Sequence, residues 1–260
     1  MKIATWNINS IRLRKDLLRS ISAMKNIDIM LLQETKTQDE FFPAKDLEDI
    51  FPHIIFAGEK SYNGVAILSK YPIKNKEILE FYNEDKRHIS CEIEGIEIHN
   101  FYVPAGGDIP DIELNPKFKH KLQYLDLIKN WFEKEKKTKE EIIIAGDLNI
   151  APLEHDVWSS RQLKSEVSHT DIERKTLLDL QKSTNLIDIA RSYVDSSEKL
   201  YSWWSYRNRD WKKSNRGRRL DHIWLSKKLA ENCKNFEIYK DARDKAQPSD
   251  HVPVIIEISR

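Results

Sequence analysis

The sequence predicts a layered α/β or α+β fold, on three observations. Short apolar, β-branched runs recur along the whole chain of 260 residues. Segments with helical periodicity stand between some of them. No Gly/Ser-rich or Pro-rich linker and no low-complexity tract interrupts the chain, so one domain over residues 1–260 is the simplest reading. Strands mixed with helices bury their apolar faces by packing in layers.

The elements follow in order. KIATWNI (2–8) reads as a strand, and Leu13, Leu17, Ile21 and Met24 then recur on one helical face. IDIMLLQ (27–33) and GVAILS (64–69) are further strands. HISCEIEGIEIHNFYV (88–103) alternates through two strands, with Glu94-Gly95 as the turn between them. Leu122, Leu125, Ile128 and Phe132 mark a second helix. The mixed-sign run FEKEKKTKEE (132–141) is expected to be its solvated end and the following loop. EIIIAG (141–146), RLDHIWLS (219–226) and VPVIIEIS (252–259) complete the strands.

Composition narrows the function. Lys plus Arg number 43 against 42 Asp plus Glu, a net charge of +1. That balance excludes a globally basic nucleic-acid binder, so any anion-binding surface must come from local clustering. Hydrophobic residues make up 40% of the chain, enough for a sizeable core. The only cysteines, Cys91 and Cys233, lie far apart and outside metal-like spacing, which suits a reducing compartment. The opening MKIATWNINS lacks a signal-peptide stretch, and no run approaches the roughly 18 apolar residues of a membrane span. The expectation is a soluble, cytoplasmic protein with no membrane partner.

Several of the apolar runs deliver a polar residue at one end. The first ends in Asn7, the second in Glu34, the hairpin in Tyr102. The stretch IIIAGDLNIAP (142–152) runs through Gly146 into Asp147 and Asn149. RLDHIWLS carries Asp221 close to its start, and Ser249-Asp250-His251 precedes the last strand. Singly, each has an ordinary explanation: turn former, solvated strand end, packed phenol or surface ion pair. Together they form one inventory of hard oxygen ligands, a histidine, a second carboxylate to orient it, and amide and phenol donors. Such oxygens suit Mg²⁺, while the absence of cysteine and the single histidine argue against zinc.

A second feature is local charge. Between Arg207 and Arg219 stand seven basic residues, namely Arg207, Arg209, Lys212, Lys213, Arg216, Arg218 and Arg219, opposed only by Asp210. Trp203, Trp204, Tyr206 and Trp211 are interleaved. Cations for backbone phosphates mixed with aromatic faces suit nucleic acid, the alternative being a solvated basic loop over core tryptophans. Arg12 and Arg14, close to Asn7, extend the same track.

At these residues WNINSIR, LLQETK, NGVAILSK, GDLNIAP, RLDHIWLS and PSDHVPV together resemble the exonuclease III family of apurinic/apyrimidinic (AP) endonucleases, within the endonuclease/exonuclease/phosphatase group. The motifs run in order from residue 6 to residue 254. The resemblance implies a four-layer α/β sandwich, with two mixed β-sheets face to face and helices on the outside. It implies a hydrolase of duplex DNA with abasic sites or blocked 3′ ends, acting as a monomer in base-excision repair with Mg²⁺, or Mn²⁺ in its place. It assigns catalysis to Tyr102, Asp147, Asn149, Asp221 and His251. It assigns metal binding to Asn7, Glu34, Asp147, Asn149, Asp250 and His251. Trp203 matches an aromatic at the damaged-nucleotide pocket, and DNA contacts are expected from Arg12, Trp203, Arg207, Arg216, Arg218 and Arg219. Two positions depart from the pattern. Ala105 replaces an amide after the proline, leaving Gly106 and Gly107 to offer backbone N–H groups. Asp171 in SHTDIER replaces a proline and should alter only a helix start. Two rival readings are a phosphoesterase of the wider group acting on lipids, inositides or RNA, and a DNA-binding module without catalysis.

Overall fold

The computed structural model describes residues 1–82, 85–135, 140–208 and 210–259. In chain order its strands are β1 (Lys2–Asn7), β2 (Ile29–Gln33), β3 (His53–Ala57), β4 (Val65–Ser69), β5 (Ile73–Glu77), β6 (His88–Ile93), β7 (Ile96–Tyr102), β8 (Ile142–Asp147), β9 (Ile187–Asp188), β10 (Trp203–Trp204), β11 (Gly217–Arg218), β12 (Asp221–Leu225), β13 (Cys233–Ile238) and β14 (Val254–Ile258). The α-helices are α1 (Ile11–Lys25), α2 (Pro116–Glu135), α3 (Ser160–Leu163), α4 (Asp171–Thr184), α5 (Ile189–Tyr193), α6 (Trp211–Ser214) and α7 (Lys227–Glu231). One six-stranded sheet has the order β13-β14-β1-β2-β4-β3, the other β5-β6-β7-β8-β12-β9. Each mixes parallel and antiparallel pairs: β1 runs parallel to β2, and β7 to β8. β10 and β11 form a separate ribbon.

The side-chain period of 2 builds the layers. Ile3, Ile29, Leu31, Val65 and Ile67 of the first sheet meet Ile96, Ile98, Ile143, Ala145, Ile223 and Leu225 of the second in one buried cluster. The alternate residues point outward. Ala4, Trp6, Met30, Leu32, Ala66 and Leu68 pack against Ile11, Leu18 and Ile21 of α1. Phe101, Ile144 and Trp224 pack against Tyr124, Leu125 and Ile128 of α2 and Leu177 and Leu180 of α4. The result is the four-layer α/β sandwich that the motifs imply.

Some expectations need correction. α1 is present, but its buried face is Ile11, Arg14, Leu18, Ile21 and Ser22, while Leu13 and Met24 are exposed. The face turns because Arg14 is drawn in by acceptors, as described below. The edge strands β3, β5 and β13 and the short β9, β10 and β11 were not legible as runs. Residues 136–139 of the charge run lie outside the described residues. Asp171 is the first residue of α4, behind a Thr170 N-cap whose partner in a capping box is Glu173. Cys91 and Cys233 are buried and free. Among the described residues no helix is long and apolar enough to cross a membrane.

The glycine before Asp147 has a steric cause. Gly146 adopts φ +141°, and a Cβ there would stand 1.9 Å from the Phe101 carbonyl oxygen on β7. The clash is with backbone and cannot be relieved by a rotamer. Gly146→Ala is therefore expected to cost about 3 kcal/mol of stability, read by denaturant unfolding.

Candidate active site

The parity that buries the core also aims the polar ends. Asn7 shares a face of β1 with Ile3, Tyr102 of β7 with Ile98, Asp147 of β8 with Ala145, and Asp221 of β12 with Ile223. Each therefore turns inward where the apolar layer stops. Register places them at one end: Tyr102 lies opposite Asp147, Asp147 opposite Asp221, and Asn7 opposite Gln33. Glu34 follows β2 directly at φ 50°, Asn149 stands two residues past the end of β8 at 54°, and Asn9 two past β1 at 47°. These conformations are costly for non-glycine residues and cluster at functional sites.

Asp147 is the hub and is 0% exposed. Its Oδ2 accepts from Asn7 Nδ2 at 2.9 Å and from Asn149 Nδ2 at 3.2 Å, and its Oδ1 accepts from the Asn149 amide at 2.9 Å. His251 Nε2 lies 3.6 Å from the same Oδ2, while its Nδ1 lies 2.8 Å from Asp221 Oδ2. Asp221 Oδ2 also accepts from Ser202 Oγ at 2.6 Å. Glu34 joins through Asn7: its Oε1 accepts from Asn7 Nδ2 at 3.0 Å and from the Tyr102 phenol at 2.6 Å. Lys36 sits 2.6 Å from Glu34 Oε2 and donates to Asn9 Oδ1 at 2.7 Å. Asp250 lies further out, accepting from Asn9 Nδ2 at 3.1 Å and the Trp203 indole at 3.0 Å.

The electrostatics follow from burial and these partners. Burial pushes the Asp147 carboxyl up; the His251 cation opposes this and the Asp221 charge adds to it. Burial disfavours the His251 imidazolium, yet Asp221 and Asp147 outweigh it and raise its pKa. Burial also opposes the Glu34 charge, but Lys36, with Tyr102 and Asn7, brings its pKa below the ordinary value. Tyr102 is raised well above its usual value, by burial first and then by Glu34 and Asp147, so it stays a hydrogen-bond donor.

The ligand atoms of Asp147, Asp221 and His251 lie within 4.8 Å of one another, close enough to hold a metal ion. Glu34 adjoins that group through Asn7, whose Nδ2 bonds both Glu34 and Asp147, Asp250 lies further out, and none of these donors is a thiol. The set fits a hard divalent cation that keeps several waters better than it fits zinc.

The expected DNA-contact residues separate. Arg12, Arg207 and Arg216 are exposed, Arg216 stacked over the Trp158 ring at 4.7 Å. Arg218 is half-buried over the Trp203 ring at 5.5 Å and donates to Val167 O and Ser168 Oγ, both at 2.6 Å. Trp203 is half-buried beside His251, to which it is bridged. Arg219 must be withdrawn from the set. It is 0% exposed, forks onto Asp156 at 2.8 and 2.9 Å, and reaches Asp188 at 2.7 Å. Arg14 is likewise internal, donating to the carbonyls of Ile8, Asn9, Gln247 and Pro248 and to the Tyr206 phenol. Both are structural: Arg14 spends all five donors inside the protein, and Arg219 is fully buried on two carboxylates, out of reach of a phosphate. Arg209 lies outside the described residues.

Sequence reasoning missed several supporting groups. Gln33 Nε2 donates to Thr5 Oγ1 at 2.9 Å and Asn100 Oδ1 at 2.7 Å, and Asn100 Nδ2 donates to the carbonyls of Leu32 and Ala66 at 2.9 and 3.0 Å. This buried network joins the two sheets directly beneath the site. Ser249 Oγ donates to Asn7 O at 2.8 Å, tying the last loop to the first strand. A polar residue on an inward-facing strand position was the available signal for Gln33 and Asn100; nothing marked Ser202 or Ser249.

The fold and site define a hydrolase that works at the rim between two sheets. A model described as "Endonuclease/Exonuclease/phosphatase family" matches residues 4–251, and the chain belongs to that family, in its exonuclease III branch. It is 32% identical to Exodeoxyribonuclease III of Haemophilus influenzae, over 98% of both chains. It is 30% identical to the DNA-(apurinic or apyrimidinic site) endonuclease of Dictyostelium discoideum, over 98% of this chain and 69% of that one. Among solved structures, an AP endonuclease from Archaeoglobus fulgidus superposes with TM-score 0.93 at 31% identity, covering 100% of both chains. A 3′ phosphatase, NExo from Neisseria, bound to a product DNA hairpin, gives TM-score 0.93 at 29% identity over 100% of both. This chain is accordingly a hydrolytic DNA nuclease of repair.

Proposed function

We propose that the chain is an AP endonuclease of base-excision repair. It hydrolyses the DNA phosphodiester 5′ to an abasic site and leaves a 3′-hydroxyl and a 5′-deoxyribose phosphate. The same centre acts as a 3′-5′ exonuclease and as a 3′-phosphodiesterase and 3′-phosphatase on duplex ends. The names of the Archaeoglobus, Dictyostelium and Neisseria relatives support these substrates. The observation that carries the reading is Asp147. A buried carboxylate, gathering Asn7 and His251 from two distant segments and Asn149 from its own loop, is a costly arrangement with no packing purpose.

Asp147 aims the attacking water and takes its proton. Asn7 and Asn149 fix the carboxylate that does so. His251, kept cationic by Asp221, gives its Nε2 proton to a phosphate oxygen. Tyr102 supplies a neutral donor to the developing charge, and removing one such donor costs on the order of 3 kcal/mol in the barrier. Mg²⁺, with Mn²⁺ able to substitute, would be held by Glu34, with Asn7 and Asp250 beside it, next to the group of Asp147, Asp221 and His251 that carries the protons; it would neutralise the phosphate and stabilise the leaving oxygen. Trp203 and Arg218 wall the pocket for the baseless sugar, which is cheap to extrude because no base is unstacked. The reading includes a monomeric single domain acting in the cytoplasm.

The decisive assay uses a duplex containing tetrahydrofuran, an abasic analogue. Purified protein with Mg²⁺ is expected to nick it once, 5′ to the analogue, and EDTA to abolish the nick. Intact duplex and an inositol phosphate should be spared. Binding without cleavage in the presence of metal would replace the enzyme with a DNA-binding module.

A further inference from the structure

We propose that Lys121, with its partner Glu173, is a positioning residue that sets the two loops handling the scissile phosphate. The inference rests on the functional reading above and deepens it. Lys121 lies in α2 and is 0% exposed, a rare place for an ammonium. Its Nζ has three donors and meets three acceptors: Glu173 Oε1 at 2.6 Å, Asn149 O at 2.8 Å and Ala105 O at 3.2 Å.

Two of those acceptors are main-chain carbonyls, one from each loop leaving the adjacent strands β7 and β8. Pinning a carbonyl fixes its peptide plane, because the peptide bond does not rotate. Asn149 carries its carbonyl on Lys121 and its side-chain amide on Asp147 and Val103. A shift of the first moves the second. Ala105 opens a turn in which Gly106 and Gly107 have φ 91° and 73°, and Asn115 Nδ2 holds Gly106 O at 2.8 Å. The Lys121 stem closes that turn from below, since a Cβ at Gly106 would come within 2.9 Å of Lys121 Cδ.

Glu173 extends the brace. Its carboxylate accepts from the Ser168 amide at 2.9 Å and from Thr170 Oγ1 at 2.7 Å, and Ser168 is the residue on which Arg218 leans. Burial draws the Lys121 pKa down, against the pull of Glu173, so the pair is held at some cost to the fold. A pair whose only purpose was to join α2 to α4 could be replaced by neutral groups without loss.

That difference is the test. Lys121→Met, Glu173→Gln and the double variant are assayed with Mg²⁺ on the tetrahydrofuran duplex, well below each Tm. The Asn149 side-chain amide is followed by NMR in ¹⁵N-asparagine-labelled protein. Lys121→Met and the double variant are expected to lose about tenfold or more in kcat with KM little changed, and to shift the Asn149 amide. Glu173→Gln leaves the ammonium on both carbonyls and is expected to lose less of kcat than Lys121→Met. Wild-type kcat in a folded double variant would overturn the proposal. So would an equal kcat loss in the two single variants, which decides the matter if the double variant does not fold. A wild-type enzyme that does not nick the duplex would instead sink the functional reading.

Discussion

Asp147→Asn is expected to lower kcat on the tetrahydrofuran duplex by about 10²–10⁴-fold while leaving duplex binding intact. The substitution keeps the shape and removes the base. It also removes a charge that the fold tolerates poorly. The Asp147 pKa is raised in the folded state, by burial before anything else. A carboxyl with a raised folded pKa binds its proton more tightly folded than unfolded. Its ionisation therefore destabilises the fold as pH climbs above the unfolded value. A neutral amide escapes that penalty, so Tm at neutral pH should be unchanged or higher in the variant. The combination of lost turnover, retained binding and undiminished Tm separates a catalytic Asp147 from a structural one. Loss of cooperative unfolding, or wild-type turnover, would contradict the role.

The residues that were legible in the sequence share one property: they end runs whose parity is visible. Asp147 and Asp221 follow the inward positions of IIIAG and precede those of HIWL, so a carboxylate had to face the gap between the sheets. Arg219 shows the limit of that reasoning. Its neighbours Arg216 and Arg218 face outward or sideways, and composition alone placed all three on one surface. Only the fold brings Asp156 and Asp188 beside Arg219, from segments 63 and 31 residues away, and turns an expected phosphate ligand into an internal strut. The face of α1 was misread for a related reason. Leu13 and Met24 follow helical spacing, but three of the five acceptors that draw Arg14 inward come from residues 206, 247 and 248, which no local window contains. Apart from the buried Ala57, the edge strands β3 and β5 carry half-buried or exposed side chains and lack the alternation that identifies a half-buried strand.

Asp221→Asn should lower kcat at neutral pH by about 10²-fold and move the alkaline limb of the pH–rate profile to lower pH. Asp221 Oδ2 serves two donors, His251 Nδ1 and Ser202 Oγ. An asparagine oxygen can serve the same two, so the imidazole keeps its orientation and loses chiefly the charge beside it. Of the charges that hold the His251 proton against burial, that one acts most strongly. Without it the folded pKa falls, the imidazolium is lost at lower pH, and activity that needs the Nε2 proton fades with it. Part of the turnover should return as pH is lowered, which a misfolded variant would not show. Ser202→Ala is the counterpart. It removes the hydroxyl that steadies Asp221, and with it an acceptor for the Leu220 and Asp221 amides, but leaves the carboxylate charge in place. It should reduce kcat without moving the alkaline limb. A limb unmoved in Asp221→Asn would mean that Asp221 orients His251 without setting its charge, and the proton given to the phosphate would have to come from another donor.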